Sequence, residues 1–215
     1  MTKTINVYTY TGEAEELAAG QGNTTRGSIA YTGKDYTVKL VQQAFDYQDE
    51  DYMKDHNVVD MGVKGATQLM TNKMAADFFA ECEKATLSHT GTISYDTIVD
   101  AIAKLNIEDE AGLFVIIKPE QKAELRKDPD YVAARMGEVV YNGQVGTVAG
   151  IPVIVSKAAT NAYVMDKAAI KLFLKKDVEV EQERNADTRT NSIYLRAAYL
   201  VALVDATKIC KIVEA

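Results

Sequence analysis

Histidine and cysteine are scarce in this 215-residue chain, with two of each. Cys82 and Cys210 are too few for a disulfide framework or a zinc site and read as small apolar core residues. Ser88 and His89 are sequence neighbours, a poor arrangement for a nucleophile and its base, and no G-x-S-x-G turn occurs. The segment 88–92 reads as a solvated turn, and His56, beside Asp55 at a helix start, as exposed. The longest apolar run, residues 197–204, falls far short of the ~18 residues that span a membrane. The N-terminus lacks a basic-then-apolar leader pattern. Together these features predict a reducing cytoplasm. A basic excess is also missing: 24 Lys and Arg face 31 Asp and Glu, for a net charge of −7. That balance argues against gripping nucleic acid, which needs basic patches to displace counterions. It also opposes self-association, so any assembly must rest on buried apolar surface or matched patches.

Two further motifs fail on inspection. Gly143, Gly146 and Gly150 lead into Ile151-Pro-Val-Ile-Val155, a strand pattern, whereas a phosphate loop leads into a helix through Gly-Lys-Ser/Thr. They read as turn glycines, and Gly33-Lys34-Asp35 fails the same test. Asp49, Glu50 and Asp51 are consecutive acids without the alternating ligands, glycine and distal glutamate of a calcium loop. They read as a solvated acidic elbow or a charge patch facing a neighbour. No cofactor site and no metal site is expected.

What is present is a globular composition, 47% hydrophobic and 26% charged. Residues 4–10 alternate as a strand, residues 11–33 form a Gly/Thr-rich loop expected to be mobile, and residues 35–45 alternate again. This predicts an extended hairpin. Val63, Ala66, Met70, Met74, Phe78 and Cys82 share one helical stripe, so residues 57–86 are predicted as one helix of about 45 Å, capped by Asp55 or Asn57. A shorter helix over 95–105 follows Ser94, a doubly buried strand covers 113–117, and Pro119 opens a helix to 126 that Asp128-Pro-Asp130 breaks. Short strands are expected across 139–155, with Pro152 at an edge or strand start. Further strands cover 169–174, 178–182 and 192–205, and Cys210 lies in a terminal one. Alternation puts Glu179, Glu181 and Glu183 on one strand face. That face is either wet or paired with arginines such as Arg184, Arg189 or Arg196, in this chain or the next.

The order of these elements, with Ile116-Ile-Lys-Pro-Glu120, Leu125-Arg-Lys-Asp-Pro-Asp-Tyr131 and Gly146-Thr-Val-Ala-Gly-Ile-Pro152, resembles the major capsid proteins of tailed phages. The resemblance implies an α+β fold of the Hong Kong 97 type. On that pattern residues 1–55 are similar to the extended-loop (E-loop) hairpin with adjoining strands. Residues 56–94 resemble the peripheral domain with its spine helix, 95–164 the α/β axial domain, and 165–215 the return strands of the peripheral domain. The first strand begins almost at Met1, whereas members of the family usually carry an N-terminal arm before it. The implied function is a shell subunit, not an enzyme, forming hexamers and pentamers of an icosahedral head around double-stranded DNA that it does not bind specifically. Portal, scaffolding or decoration proteins are the implied partners. The virion is the implied location, reached from the host bacterial cytoplasm, and no membrane partner is expected. Expected inter-subunit contact residues are Arg26, Lys34, Lys39, Asp49, Glu50, Asp51, Glu179, Glu181, Arg184 and Arg189. Some relatives crosslink subunits through lysine–asparagine bonds, and Lys34 and Lys39 lie in the corresponding region. An encapsulin-like nanocompartment subunit is an alternative on the same fold, and a small α/β enzyme an alternative of another class.

Overall fold

The computed structural model describes residues 2–134 and 146–214, in two compact units, 1–38 and 39–215. The expected strands across 139–145 lie outside the described residues.

The first unit is an antiparallel hairpin. Strand β1 (Thr2–Thr11) pairs with β2 (Ser28–Thr37) in unbroken register from Thr2↔Thr37 to Thr11↔Ser28. The loop is therefore shorter than the composition suggested, 12–27, because Ser28 to Gly33 find backbone partners in β1. The expected single strand over 35–45 is two. It breaks at Val38, and β3 (Lys39–Gln48) belongs to the second unit, where it pairs with β10.

In the second unit β3, β10 (Thr190–Leu203) and β9 (Ile170–Asn185) form an antiparallel sheet in the order β3-β10-β9. The two strands expected over 169–174 and 178–182 are one. Extra residues around 175–178 are absorbed as irregularities against Arg196 to Tyr199 rather than ending the strand. After the short α1 (Asp49–Lys54), helix α2 (Asn57–Cys82) lies across this sheet. Its 26 residues make about 39 Å. Asp55 Oδ1 accepts from the Asn57 amide at 2.9 Å at its start. It ends at Cys82 rather than 86, where the amides of Lys84 and Ala85 turn back onto Glu81 and Cys82. Ala66 and Met70 pack on Ile193, Leu195 and Ala197, with Phe45 and Met74 alongside. The alternating side chains of β10 thus meet the helical stripe predicted for α2.

The second sheet is mixed, in the order β4-β11-β8-β5-β7-β6. Its strands are β4 (Leu87–Thr90), β5 (Leu113–Ile117), β6 (Thr147–Val148), β7 (Ile151–Val155), β8 (Ala162–Asp166) and β11 (Ile209–Val213). Ser88 and His89 therefore stand in a strand, not a turn. β4 is held by parallel pairing to β11, which sequence spacing cannot reveal. Helices α3 (Tyr95–Leu105), α4 (Pro119–Lys127) and α5 (Pro129–Ala134) follow the predicted breaks. Ile98, Leu105, Leu125 and Tyr131 pack on one face of β5, beside Val115 and Ile117. Phe79, Cys82, Tyr163, Met165 and Ile209 cover the other face beside Ile116. Both cysteines are buried and free, as the composition suggested. Val148 and Ile151 flank a two-residue turn in which Ala149 (φ 49°) and Gly150 (φ 83°) are both left-handed. That turn geometry matches the twist of the strands it joins. Pro152 follows at the second position of β7, before that strand's pairing with β5 begins at Val153.

Candidate assembly surface

Register puts Tyr8 opposite Tyr31 and Tyr10 opposite Ile29, so these four side chains share one face of the hairpin. All are 67–70% exposed, and the Tyr8 and Tyr31 rings lie 6.1 Å apart. The tip beyond them is closed at two levels. At its neck a Cβ on Gly12 would stand 2.7 Å from Gly27 Cα, and one on Gly27 would meet the Tyr10 ring, so glycine permits this approach. Further out, the Glu15 carboxylate accepts from the amides of Thr24 and Thr25, each at 2.8 Å, and from both their hydroxyls. The Thr25 hydroxyl and the other three donors hold the Glu15 carboxyl down to about 2.

Four of the expected contact residues gather where α1 meets the β9–β10 turn. Arg184 donates to Asp49 Oδ2 at 2.7 Å, Asn191 to Asp49 Oδ1 at 2.7 Å, and Arg189 pairs with Glu50 at 2.8 Å. The Asp49 amide also donates to the Arg189 carbonyl at 3.1 Å. Hydrogen bonds from Arg184, then Asn191, lower the Asp49 pKa. The acidic elbow is thus a first helical turn bound to its own chain. The other six do not join it. Asp51 pairs with Lys54 within α1, Glu179 with Lys176, and Glu181 with Arg196 at 2.7 Å. Arg26 is exposed in the hairpin loop, and the Lys34 ammonium stands 5.4 Å from the Tyr36 ring centre. His56 is exposed, as expected, and lies 4.7 Å from the Tyr52 ring centre.

Lys39 is the sixth, and its partner lies within the chain. Its ammonium lies 2.7 Å from Oδ1 of Asp77, a buried carboxylate of α2 that Lys73 also reaches at 3.2 Å. Burial alone would raise the Asp77 pKa. Hydrogen bonds from Lys39, Tyr199 and Lys73 outweigh it and hold the group below its ordinary value. Asp77 escaped the sequence reading because two of its three partners, Lys39 and Tyr199, come from β3 and β10.

Beside α2 an apolar groove of about 400 Å³ is lined by Thr71, Met74, Ala75, Phe78, Ile170, Leu172 and Val201. Leu172, Leu174, Val178 and Val180 of the edge strand β9 are each about half exposed. The alternation of β9 contained that signal, but exposure depends on where the neighbouring elements stop.

Among the described residues no group of three or more His, Cys, Asp or Glu is placed to hold a metal, and no helix is long and apolar enough to cross a membrane. His89 Nε2 lies 4.0 Å from an Asp100 oxygen. The phage capsid protein family profile matches residues 18–212. The major capsid protein of Staphylococcus phage phiMR11 is 26% identical over 99% of this chain and 80% of its own length. A chain from the capsid of cyanophage P-SCSP1u superposes with a TM-score of 0.80 at 12% identity, covering 99% of this chain and 84% of that one. A chain from Mycobacterium phage Che8 gives 0.72 at 16% identity, covering 97% and 84%. The mixed α/β arrangement is therefore one shared with phage capsid subunits, and the chain belongs to the phage capsid protein family, as a structural protein rather than an enzyme.

Proposed function

We propose that this chain is the major capsid subunit of a tailed-phage head of the Hong Kong 97 type, assembling into hexamers and pentamers around double-stranded DNA. In this reading the β1–β2 hairpin is the E-loop, α2 the spine helix of the peripheral domain, the six-stranded sheet with α3 to α5 the axial domain, and β9–β10 the return into the peripheral domain. The observation that carries the reading is the hairpin. It forms its own two-stranded unit with four large apolar side chains on one open face. A lone two-stranded hairpin is marginal in water, so such a face calls for cover by another copy. The match to phage capsid proteins supports the head over a nanocompartment. DNA is enclosed rather than gripped, in keeping with the net charge of −7. Portal, scaffolding and decoration proteins are the partners this reading implies. Its site is the virion shell, reached from the bacterial cytoplasm. The cluster of Asp49, Glu50, Arg184 and Arg189 supplies a polar rim for contact between copies, with Arg26, Lys34, Lys39, Asp51, Glu179 and Glu181 as further contacts.

The test is assembly of the full-length gene product, followed by sedimentation and electron microscopy. Rings or shells growing with concentration are expected. Removing residues 13–26 and closing the gap with a tight turn should abolish them while thermal stability stays nearly unchanged. Monomer at every concentration, or undiminished assembly by the deletion variant, would overturn the reading.

A further inference from the structure

We infer that Glu15 is a positioning residue that folds the hairpin tip, before docking, into the shape received by a second copy of this chain. The inference rests on the reading that the hairpin is the docking element.

Residues 12–27 hold four glycines, Gly12, Gly20, Gly22 and Gly27, and little apolar material. A segment of that composition has much backbone freedom to lose on being fixed. The structure places one carboxylate where it offsets that loss. Glu15 gathers the amides and hydroxyls of Thr24 and Thr25, nine and ten residues further on. Hydrogen bonds to an ionised acceptor are the stronger kind. Both donor types converge from two adjacent residues, so the bonds fix the backbone of the returning limb as well as its side chains. The neck is fixed independently by the Gly12–Gly27 approach and the Tyr10 ring. Every one of these groups lies between residues 10 and 27, so the tip holds its shape without help from the second unit. A surface already in its bound shape loses less freedom on association, which strengthens binding without a new contact. The depressed carboxyl pKa extends the ionised form of Glu15 into acid solution, so the acceptor stays available well below neutrality.

The experiment compares the full-length chain with Glu15→Ala, Glu15→Gln, the double variant Thr24→Ser/Thr25→Ser, and the tip deletion described above. In the dissociated subunit, the Thr24 and Thr25 amides should exchange at least about tenfold more slowly than unprotected amides, and Glu15→Ala should remove that protection. The concentration at which assembly begins should rise about tenfold or more in Glu15→Ala, with Glu15→Gln between it and the parent. The Thr24→Ser/Thr25→Ser chain keeps every donor and should behave as the parent. Unprotected Thr24 and Thr25 amides in the parent would overturn the inference. So would parent-like assembly of Glu15→Ala in a background where the deletion fails to assemble, and that result leaves hairpin docking intact. A deletion that assembles as well as the parent would remove the docking reading and this inference with it.

Discussion

The hydroxyl of Tyr199 in β10 donates to Oδ2 of Asp77 in α2 at 2.8 Å, tying the long helix to the middle strand of the sheet beneath it. The other oxygen of Asp77 takes Lys39 and Lys73, so three donors from three elements converge on one buried carboxylate. Asp77→Asn keeps the shape and removes the charge. It should lower unfolding free energy by about 2 kcal/mol in a urea titration. The pH dependence has a definite sign. The folded-state pKa is depressed, so this stabilisation is complete above the ordinary carboxylate value near ~4 and is lost as pH falls through the lower folded value. Asp77→Asn should flatten that part of the acid-unfolding curve.

Two glycines in the first turns of α2 should respond oppositely to alanine. A Cβ on Gly62 would stand within 2.7 Å of three Phe45 ring carbons, whereas one on Gly65 would meet nothing within 4 Å. Gly65→Ala should stabilise by about 0.5–1 kcal/mol through helix propensity. Gly62→Ala gains the same propensity but forces Phe45 out of its packing, and should show a net loss of about 1–2 kcal/mol. Thermal melts of the two variants read the difference directly.

Ala149 occupies a left-handed position in the β6–β7 turn at φ 49°. That conformation costs a residue with a Cβ roughly 1–2 kcal/mol, and asparagine tolerates it far better. Ala149→Asn should therefore stabilise the protein by about 0.5–1 kcal/mol, measured by denaturant midpoint.

Burial pushes the Cys82 thiol up to about 12 and raises Cys210 as well. Neither side chain is exposed to solvent. A thiol reagent at pH 8 should leave both unmodified in the folded protein and label two per chain after denaturation. Rapid labelling under native conditions would contradict the packing of Cys82 beneath β8 and β11.

Much of this architecture was legible because its determinants are local. Ser94 caps α3 by accepting from Thr97, Pro119 opens α4, and the run from Leu113 to Ile117 is the doubly covered β5. The stripe on α2 was legible for the same reason, since it needs only the helical period. The parts that escaped depend on a partner. Residues 87–90 become a strand only because β11 lies beside them, and 175–178 stay within β9 only because β10 carries the pairing past them. Nothing in the local pattern marks the break at Val38, where one strand pattern divides between two sheets. The candidate surface divides likewise. The charged residues were found by composition, but most of their partners lie within the chain. The Glu15 cluster and the tyrosine face became visible only when register brought distant residues together.

The parallel pairing of β11 with β4 has a consequence for how the subunit comes into being. Cys210 and Ile212 complete the interior shared by α3, β5 and β8, yet they are among the last of the described residues to leave the ribosome. Their partners at 87 and 89 have by then waited while more than a hundred further residues were added, roughly ten seconds at ordinary translation rates. From the emergence of β8 at 162–166 until β11 follows at 209–213, β8 lacks the strand that separates it from β4, so its inner edge stands open and able to pair wrongly. In a cell making many copies at once, translation speed over the stretch between these strands therefore becomes a determinant of yield, independent of the stability of the finished fold.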